Sequence, residues 1–235
     1  MRIEEDKEII CGINIVESVL NSRPKSAKVL FILDSKSSSR LKNISSKAQS
    51  CGVETTVKTK DFFSTYCKDQ NHQGLEILCN KRIEENETLL DKLLNKEPLL
   101  LLILDHMTDP QNVGACLRSA AAANVDAVIV PKDRSCHLSP TVRKVSSGGS
   151  ELVPFIVVTN LVRTIKNMKL SGVNIVGAEK NGKEDYKDIV FGKKNALVIG
   201  SEDKGLKKLT SENCDSLIRI DLPGNVESLN ASVAC

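Results

Sequence analysis

Three polar islands interrupt the apolar second half of this 235-residue chain: DHMTDPQNVGACLRSA from Asp105, NALVIGSEDKGL from Asn195, and GNVESLNASVAC from Gly224 to Cys235. Each mixes glycine with side chains able to do chemistry: Asp109, Asn112 and Arg118, then Glu202, then Ser228 and Asn230. Arg118 has only small neighbours along a helix (Gly114, Ala115, Ala121, Ala122), so its guanidinium stands clear and can face a phosphate or a ribose. Glu202 follows the apolar strand ALVIG, at the end of which open parallel sheets bind their ligands. Islands that converge at strand ends would make one polar site.

The elements that must position them follow from the apolar rhythm. From Leu99 the chain reads as repeated β-α: LLLLILD, a helix over 110–123, DAVIVP, a helix over about 139–148, LVPFIVV, a helix over 160–171, NIVGA, ALVIGS and LIRIDL. Continuous apolar strands between amphipathic helices predict a parallel sheet buried on both faces. Thr108 or Asp109 is a good helix N-cap with Pro110 as first helical residue, which fixes Asn112 near the helix start and Arg118 about two turns along. Gly205 allows a tight turn after Glu202, and Pro223-Gly224 a turn after LIRIDL.

The first 80 residues read as α-β-α-β closing with the strand LEILCN, a second small α/β unit, with Gly52 ending the middle helix. Residues 81–97 are charged with leucines at helical spacing, a partly helical linker. The expected division is therefore 1–80, a linker over 81–97, and 98–235.

With 40% hydrophobic residues and a net charge of only +3, the composition is globular, and any nucleic-acid affinity must come from local patches. The acidic start lacks a signal-peptide-length apolar segment and the longest apolar run, around 99–104, is too short to cross a bilayer, so no membrane role and a cytoplasmic location are expected. None of the eight cysteines is spaced Cys-x-x-Cys, which predicts reduced, mostly buried thiols. His72, His106 and His137 are scattered, and no metal site is expected. GAEKNGKE, from Gly177 to Glu184, nearly matches a phosphate loop, but Glu184 stands where Ser or Thr would hold magnesium. The dinucleotide Gly-x-Gly fingerprint is absent.

The spacing Asp-x-x-x-Asp-Pro-x-Asn-x-Gly-x-x-x-Arg, the string Gly-Ser-Glu-x-x-Gly-Leu and the string Ser-Leu-Asn-x-Ser-Val-Ala, in this order, resemble the three motifs of the SpoU (TrmH) family of RNA ribose 2′-O-methyltransferases, a branch of the SPOUT class. The resemblance spans 98–235, and GINIVESVL near the start is similar to the opening of the substrate-binding domain that some members carry. It implies an α/β fold with a C-terminal parallel-sheet trefoil-knot domain, preceded by a small ribosomal-protein-like RNA-binding domain. It implies S-adenosyl-L-methionine as cofactor, RNA as partner and a homodimer. The implied catalytic set is Asn112, Arg118, Glu202, Ser228 and Asn230; the cofactor is expected against backbone groups of turns around Gly177, Gly200, Ile220, Leu222 and Leu229.

Within the family, the two-domain layout and the stretches VTNLVRTIKNMK and LTSENCDSLI look most like bacterial members that methylate a guanosine ribose in 23S rRNA. A tRNA ribose methyltransferase and a non-catalytic RNA-binding protein are the alternatives. The chain departs from the family at Asp203, usually glycine, and at Asp221 and Leu222, commonly proline and methionine. Relatives continue past Ser-Val-Ala with a helix, so a truncated C-terminal helix is expected at Cys235.

Overall fold

The computed structural model describes residues 3–34, 38–67, 71–222, 224 and 229–235. It divides into two compact units, Met1–Ile83 and Glu84–Cys235.

The first unit runs β1 (Lys7–Cys11), α1 (Ile13–Ser22), β2 (Ala27–Leu33), α2 (Ser39–Ser50), β3 (Glu54–Lys58), α3 (Lys60–Tyr66) and β4 (Leu75–Asn80). Its sheet has the order β1-β4-β2-β3, with β4 antiparallel to both neighbours and β2 parallel to β3. One sheet face packs Leu30, Leu75, Ile77 and Cys79 against Val16, Val19 and Leu20 of α1 and Leu41, Ile44 and Ala48 of α2. The other carries Phe31 and Leu33 against Phe63 of α3. The expected α-β-α-β order holds, with β1 and α3 as additions. The five-residue KEIIC is stabilised by pairing with β4, far along the chain, and such pairing leaves little local pattern.

The cysteine expectation needs one correction. Cys11 and Cys67, 56 residues apart, are joined as a disulfide with their Cα atoms 6.5 Å apart, while the other six are free thiols. A pair brought together by tertiary packing leaves no spacing signature in the sequence.

The second unit begins with α4 (Glu87–Leu93). The stretch expected as a linker is, from Glu84 onward, part of this unit. Glu85 bridges to Ile156, and Leu90 and Leu94 are buried in the core.

The order then runs β5 (Leu99–Asp105), α5 (Pro110–Ala122), β6 (Ala127–Pro131), α6 (Pro140–Val145), α7 (Gly149–Leu152), β7 (Phe155–Val158), α8 (Leu161–Leu170), β8 (Asn174–Ala178), β9 (Glu184–Asp185), β10 (Lys194–Gly200), α9 (Lys208–Asn213), β11 (Ser216–Arg219) and α10 (Ala231–Ala234). All seven strands are parallel, in the order β7-β6-β5-β10-β8-β11-β9. Leu99, Leu101 and Ile103 of β5 enter one core with Leu161, Ile165 and Met168 of α8; Leu102 and Leu104 enter the other with Val113, Cys116 and Leu117 of α5. Burial on both faces is what the unbroken LLLLIL run predicts. The helix expected over 139–148 ends at Val145 and a separate helix begins at Gly149, because Ser147 and Gly148 between them take left-handed backbone conformations, at φ 51° and 100°. No helix among the described residues is long and apolar enough to cross a membrane.

Sequence order explains where a site can form. Strands β5, β6 and β7 step outward in one direction, and β8, β10 and β11 fill the other side, so the winding reverses between β5 and β10. The carboxyl ends of these two strands flank the crevice that such a reversal leaves.

Gly114 sets how closely α5 and α6 approach. A Cβ there would lie 2.6 Å from Val145 Cβ and 2.8 Å from the carbonyl oxygen of Val142. Gly114→Ala is expected to lower unfolding free energy by about 1–3 kcal/mol, the usual cost of overpacking, measured by chemical denaturation. Wild-type stability would mean that α6 shifts freely.

Candidate active site

The first island leaves β5 at Asp105 and re-enters the fold at the start of α5. Asp109 is the N-cap: its carboxylate oxygens accept from the backbone N–H groups of Gln111, at 3.1 Å, and Asn112, at 3.2 Å. The cap holds Asn112 at the first turn of α5, its side chain buried.

The second island is a tight loop off β10. Gly200, the last residue of the strand, lies opposite Asp105 in the β5–β10 register. Ser201 and Gly205 exchange backbone hydrogen bonds of 3.2 and 2.8 Å, so the loop folds back over Gly200. A Cβ on Gly200 would sit 2.1 Å from the carbonyl carbon of Gly205, and Gly205 itself has φ +63°. Both glycines are required by geometry. Between them the loop presents Glu202.

The third island ends in α10, capped by Asn230, whose Oδ1 accepts from Ser232 N at 2.9 Å and Ser232 Oγ at 2.5 Å.

These three side chains meet. Asn112 Nδ2 donates to Glu202 Oε2 at 3.1 Å; Asn230 Nδ2 donates to the same oxygen at 3.0 Å and to Asn112 Oδ1 at 2.9 Å. Residues 90 and 118 positions apart thus close a hydrogen-bonded triangle, with one residue from each island, at the carboxyl end of the sheet. The carboxylate is its one charged member.

The other expected site residues fall differently. Arg118 is exposed on α5 and has no hydrogen bond or ion pair among the described residues. Six residues along an α-helix is about 9 Å of rise, and Arg118 stands outside the triangle. Ser228 lies outside the described residues, as does most of the 223–228 segment on which the expected knot depends. Ile220, Leu222 and Leu229 are half-buried, flanking that segment.

Gly177 lies in the strand read from NIVGA, not in one of the turns expected against the cofactor. It sits inside β8 between β10 and β11, and a Cβ there would meet Leu206, Cys214 and Leu217 at 2.8–2.9 Å. Its smallness serves packing between strands. The GAEKNGKE segment also packs closely: a Cβ at Gly182 would lie 2.3 Å from the backbone of Ile218.

Sequence reasoning overlooked Asp105 as an anchor. Fully buried, it accepts from the backbone N–H of Lys207 at 2.7 Å and also pairs with His106, tying the first island to the end of the second. A lone aspartate closing the run LLLLILD was the available signal, since a buried carboxylate requires partners. The remaining histidines have local roles: His137 pairs with Glu84 and the carbonyl of Lys132, and His72 accepts from Gly74 N.

The model of the SpoU rRNA Methylase family matches residues 99–235, and that for RNA 2'-O ribose methyltransferase substrate binding matches residues 9–83. The chain belongs to the SpoU methylase family. It is 43% identical to the 23S rRNA (guanosine-2'-O-)-methyltransferase RlmB of Coxiella burnetii over 96% of this chain and 91% of that protein. It is 39% identical to the protein of that name in Escherichia coli, over 97% and 94%.

The fold is also that of solved relatives. The SpoU methyltransferase AviRb from Streptomyces viridochromogenes, in complex with AdoMet, aligns over 97% of this chain and 86% of its own, with a TM-score of 0.76 at 19% identity. An RNA 2'-O ribose methyltransferase aligns over 98% and 85%, with a TM-score of 0.78 at 19% identity. The family's cofactor is S-adenosylmethionine.

Gly200→Ala is expected to push the Ser201–Gly205 loop off the strand end and carry Glu202 away from both asparagines. Cofactor affinity, measured by calorimetry, should fall at least tenfold, about 1.4 kcal/mol. Unchanged affinity would show that the loop does not shape the cofactor site.

Proposed function

We propose that this protein transfers a methyl group from S-adenosylmethionine to the ribose 2′-hydroxyl of a guanosine in 23S rRNA. The observation that carries the reading is the triangle of Asn112, Glu202 and Asn230 at the end of the sheet. Similarity to the RlmB proteins over nearly the whole chain supports the rRNA substrate. The first unit, matched by a substrate-binding family, selects the RNA. The reaction belongs in the cytoplasm, beside the ribosomal RNA.

Gly200, Ile220, Leu222 and Leu229 line the cofactor site, with Gly177 shaping the sheet behind it. The bound cofactor supplies an electrophilic methyl on sulfonium. The chain must hold the ribose in line with that methyl and help its hydroxyl proton leave. Asn112 and Asn230 fix the Glu202 carboxylate and hence the loop that carries it; Ser228 belongs to the same set through its motif. Arg118 meets the RNA. A guanidinium, with pKa above about 12, is a poor base, so its role is to orient the target phosphate and hydroxyl through paired N–H donors.

The working form is a homodimer, in which Arg118 of one protomer acts beside the cofactor of its partner. The position of Arg118 outside its own chain's triangle supports this arrangement.

Labelled cofactor incubated with 23S rRNA and with tRNA tests the assignment: label is expected at one guanosine ribose of the rRNA, and tRNA labelling alone would contradict it. Arg118→Ala should reduce methyl transfer by at least about 100-fold, the scale of one lost orienting group, with cofactor affinity kept. Wild-type turnover in that variant would refute the role. Mixing inactive Arg118→Ala with inactive Asn230→Ala protein should restore part of the activity through mixed dimers; a strictly monomeric active enzyme would rule the dimer out.

A further inference from the structure

The sheet face beneath α3 in the first unit carries an apolar layer, edged on β3 by Thr56 and by Lys58, whose ammonium lies over Phe31. Ile9, Val29, Phe31, Leu33 and Leu78 line it and Phe63 closes it. Glu76, two residues before Leu78 in β4, projects to the same side by strand alternation and has no exposed surface. Both its carboxylate oxygens lack a hydrogen-bond partner among the described residues. Burial pushes its pKa up to about 7. An unpartnered carboxyl in such a layer costs several kcal/mol on the scale of buried polar groups, so an apolar residue of similar size would serve the core better.

What lies beside it is sulfur. The β1–β4 register sets Cys11 directly opposite Glu76, and Cys67 caps the end of α3. Both sulfurs and a Glu76 oxygen lie within 4.8 Å of one another. We propose that Cys11, Cys67 and Glu76 form a binding site for a thiophilic divalent cation, zinc by its chemistry, whenever the Cys11–Cys67 bond is reduced. Tetrahedral zinc, with metal–sulfur bonds of about 2.3 Å and metal–oxygen bonds of about 2.0–2.2 Å, needs ligand atoms roughly 3.5–3.8 Å apart. Once the bond is reduced, the two sulfurs have to separate to that spacing and the Glu76 oxygen, within 4.8 Å of them, has to approach.

The ligands discriminate. Two thiolates and one carboxylate are too soft and too few for magnesium or calcium, which take six or more oxygens. Three protein ligands leave a fourth position for water, reachable beside Cys11, which is only half-buried.

The chemistry balances in two steps. A dithiol reductant gives two electrons and two protons to the Cys11–Cys67 bond and leaves as its own disulfide, producing two thiols. The cation then forms two metal–sulfur bonds and one metal–oxygen bond, and the displaced thiol protons, with any proton on Glu76, pass to solvent. Either linkage ties α3 to the sheet, so the cation would replace the covalent staple under reducing conditions. Cysteine spacing gave no hint of this site, because its ligands come from two strands and a helix end.

The test uses the full-length protein, reduced with a phosphine and desalted without oxygen. Zinc is titrated in competition with a chromophoric chelator, and cobalt is added separately as a spectroscopic probe. One zinc per chain and a thiolate-to-cobalt charge-transfer band are expected. Glu76→Gln should weaken binding by at least about tenfold and Cys67→Ser by about 100-fold, in line with the loss of one ligand. The oxidised protein should bind none at this site. Absence of stoichiometric zinc or of the cobalt band in the reduced wild-type protein overturns the proposal, whatever the variants do. So does binding that persists within threefold in either variant or in the oxidised protein.

Discussion

The Glu202 carboxylate oxygen shared by Asn112 and Asn230 is the contact that joins the three polar islands of the second unit. One acceptor atom receives hydrogen bonds from two chain segments far apart in sequence, and the two amides are bonded to each other as well. Each island alone is an ordinary capped helix start or a tight turn. Their convergence makes a site, and it requires three strand-end features at once: the Asp109 cap, the folded-back loop over Gly200, and the Asn230 cap. Asp105 secures the same assembly from below by holding His106 and Lys207 together.

The sheet supplies the platform. Parallel strands buried on both faces confine polar chemistry to their ends, and the reversal of winding between β5 and β10 decides which ends are open. Close-packed glycines then bring the parts into reach: Gly114 sets the α5–α6 distance, Gly200 admits the loop, and Gly177 lets Leu206, Cys214 and Leu217 cover β8. These three glycines serve close packing.

Much of this was legible in the sequence. The run LLLLILD, the pair Asp109-Pro110 and the order of the three islands were enough to place β5, α5 and the site at strand ends, because each rests on local pattern. The split between α6 and α7 was missed because Ser147 adopts a left-handed conformation that its side chain does not advertise. The disulfide and its buried neighbour Glu76 were invisible for a deeper reason: β1, β4 and α3 are brought together by pairing and packing across the whole unit.

The central claim is that Asn112, Glu202 and Asn230 act as one unit. A double-mutant cycle on Asn112→Ala and Asn230→Ala, read as methyl-transfer kcat/KM on rRNA, measures this directly. If the triangle is functional, the double variant loses little more than the worse single variant, with a coupling of about 1–3 kcal/mol, as expected for residues sharing a hydrogen-bond network. Losses that simply add would mean that the two asparagines act independently, and would contradict the account.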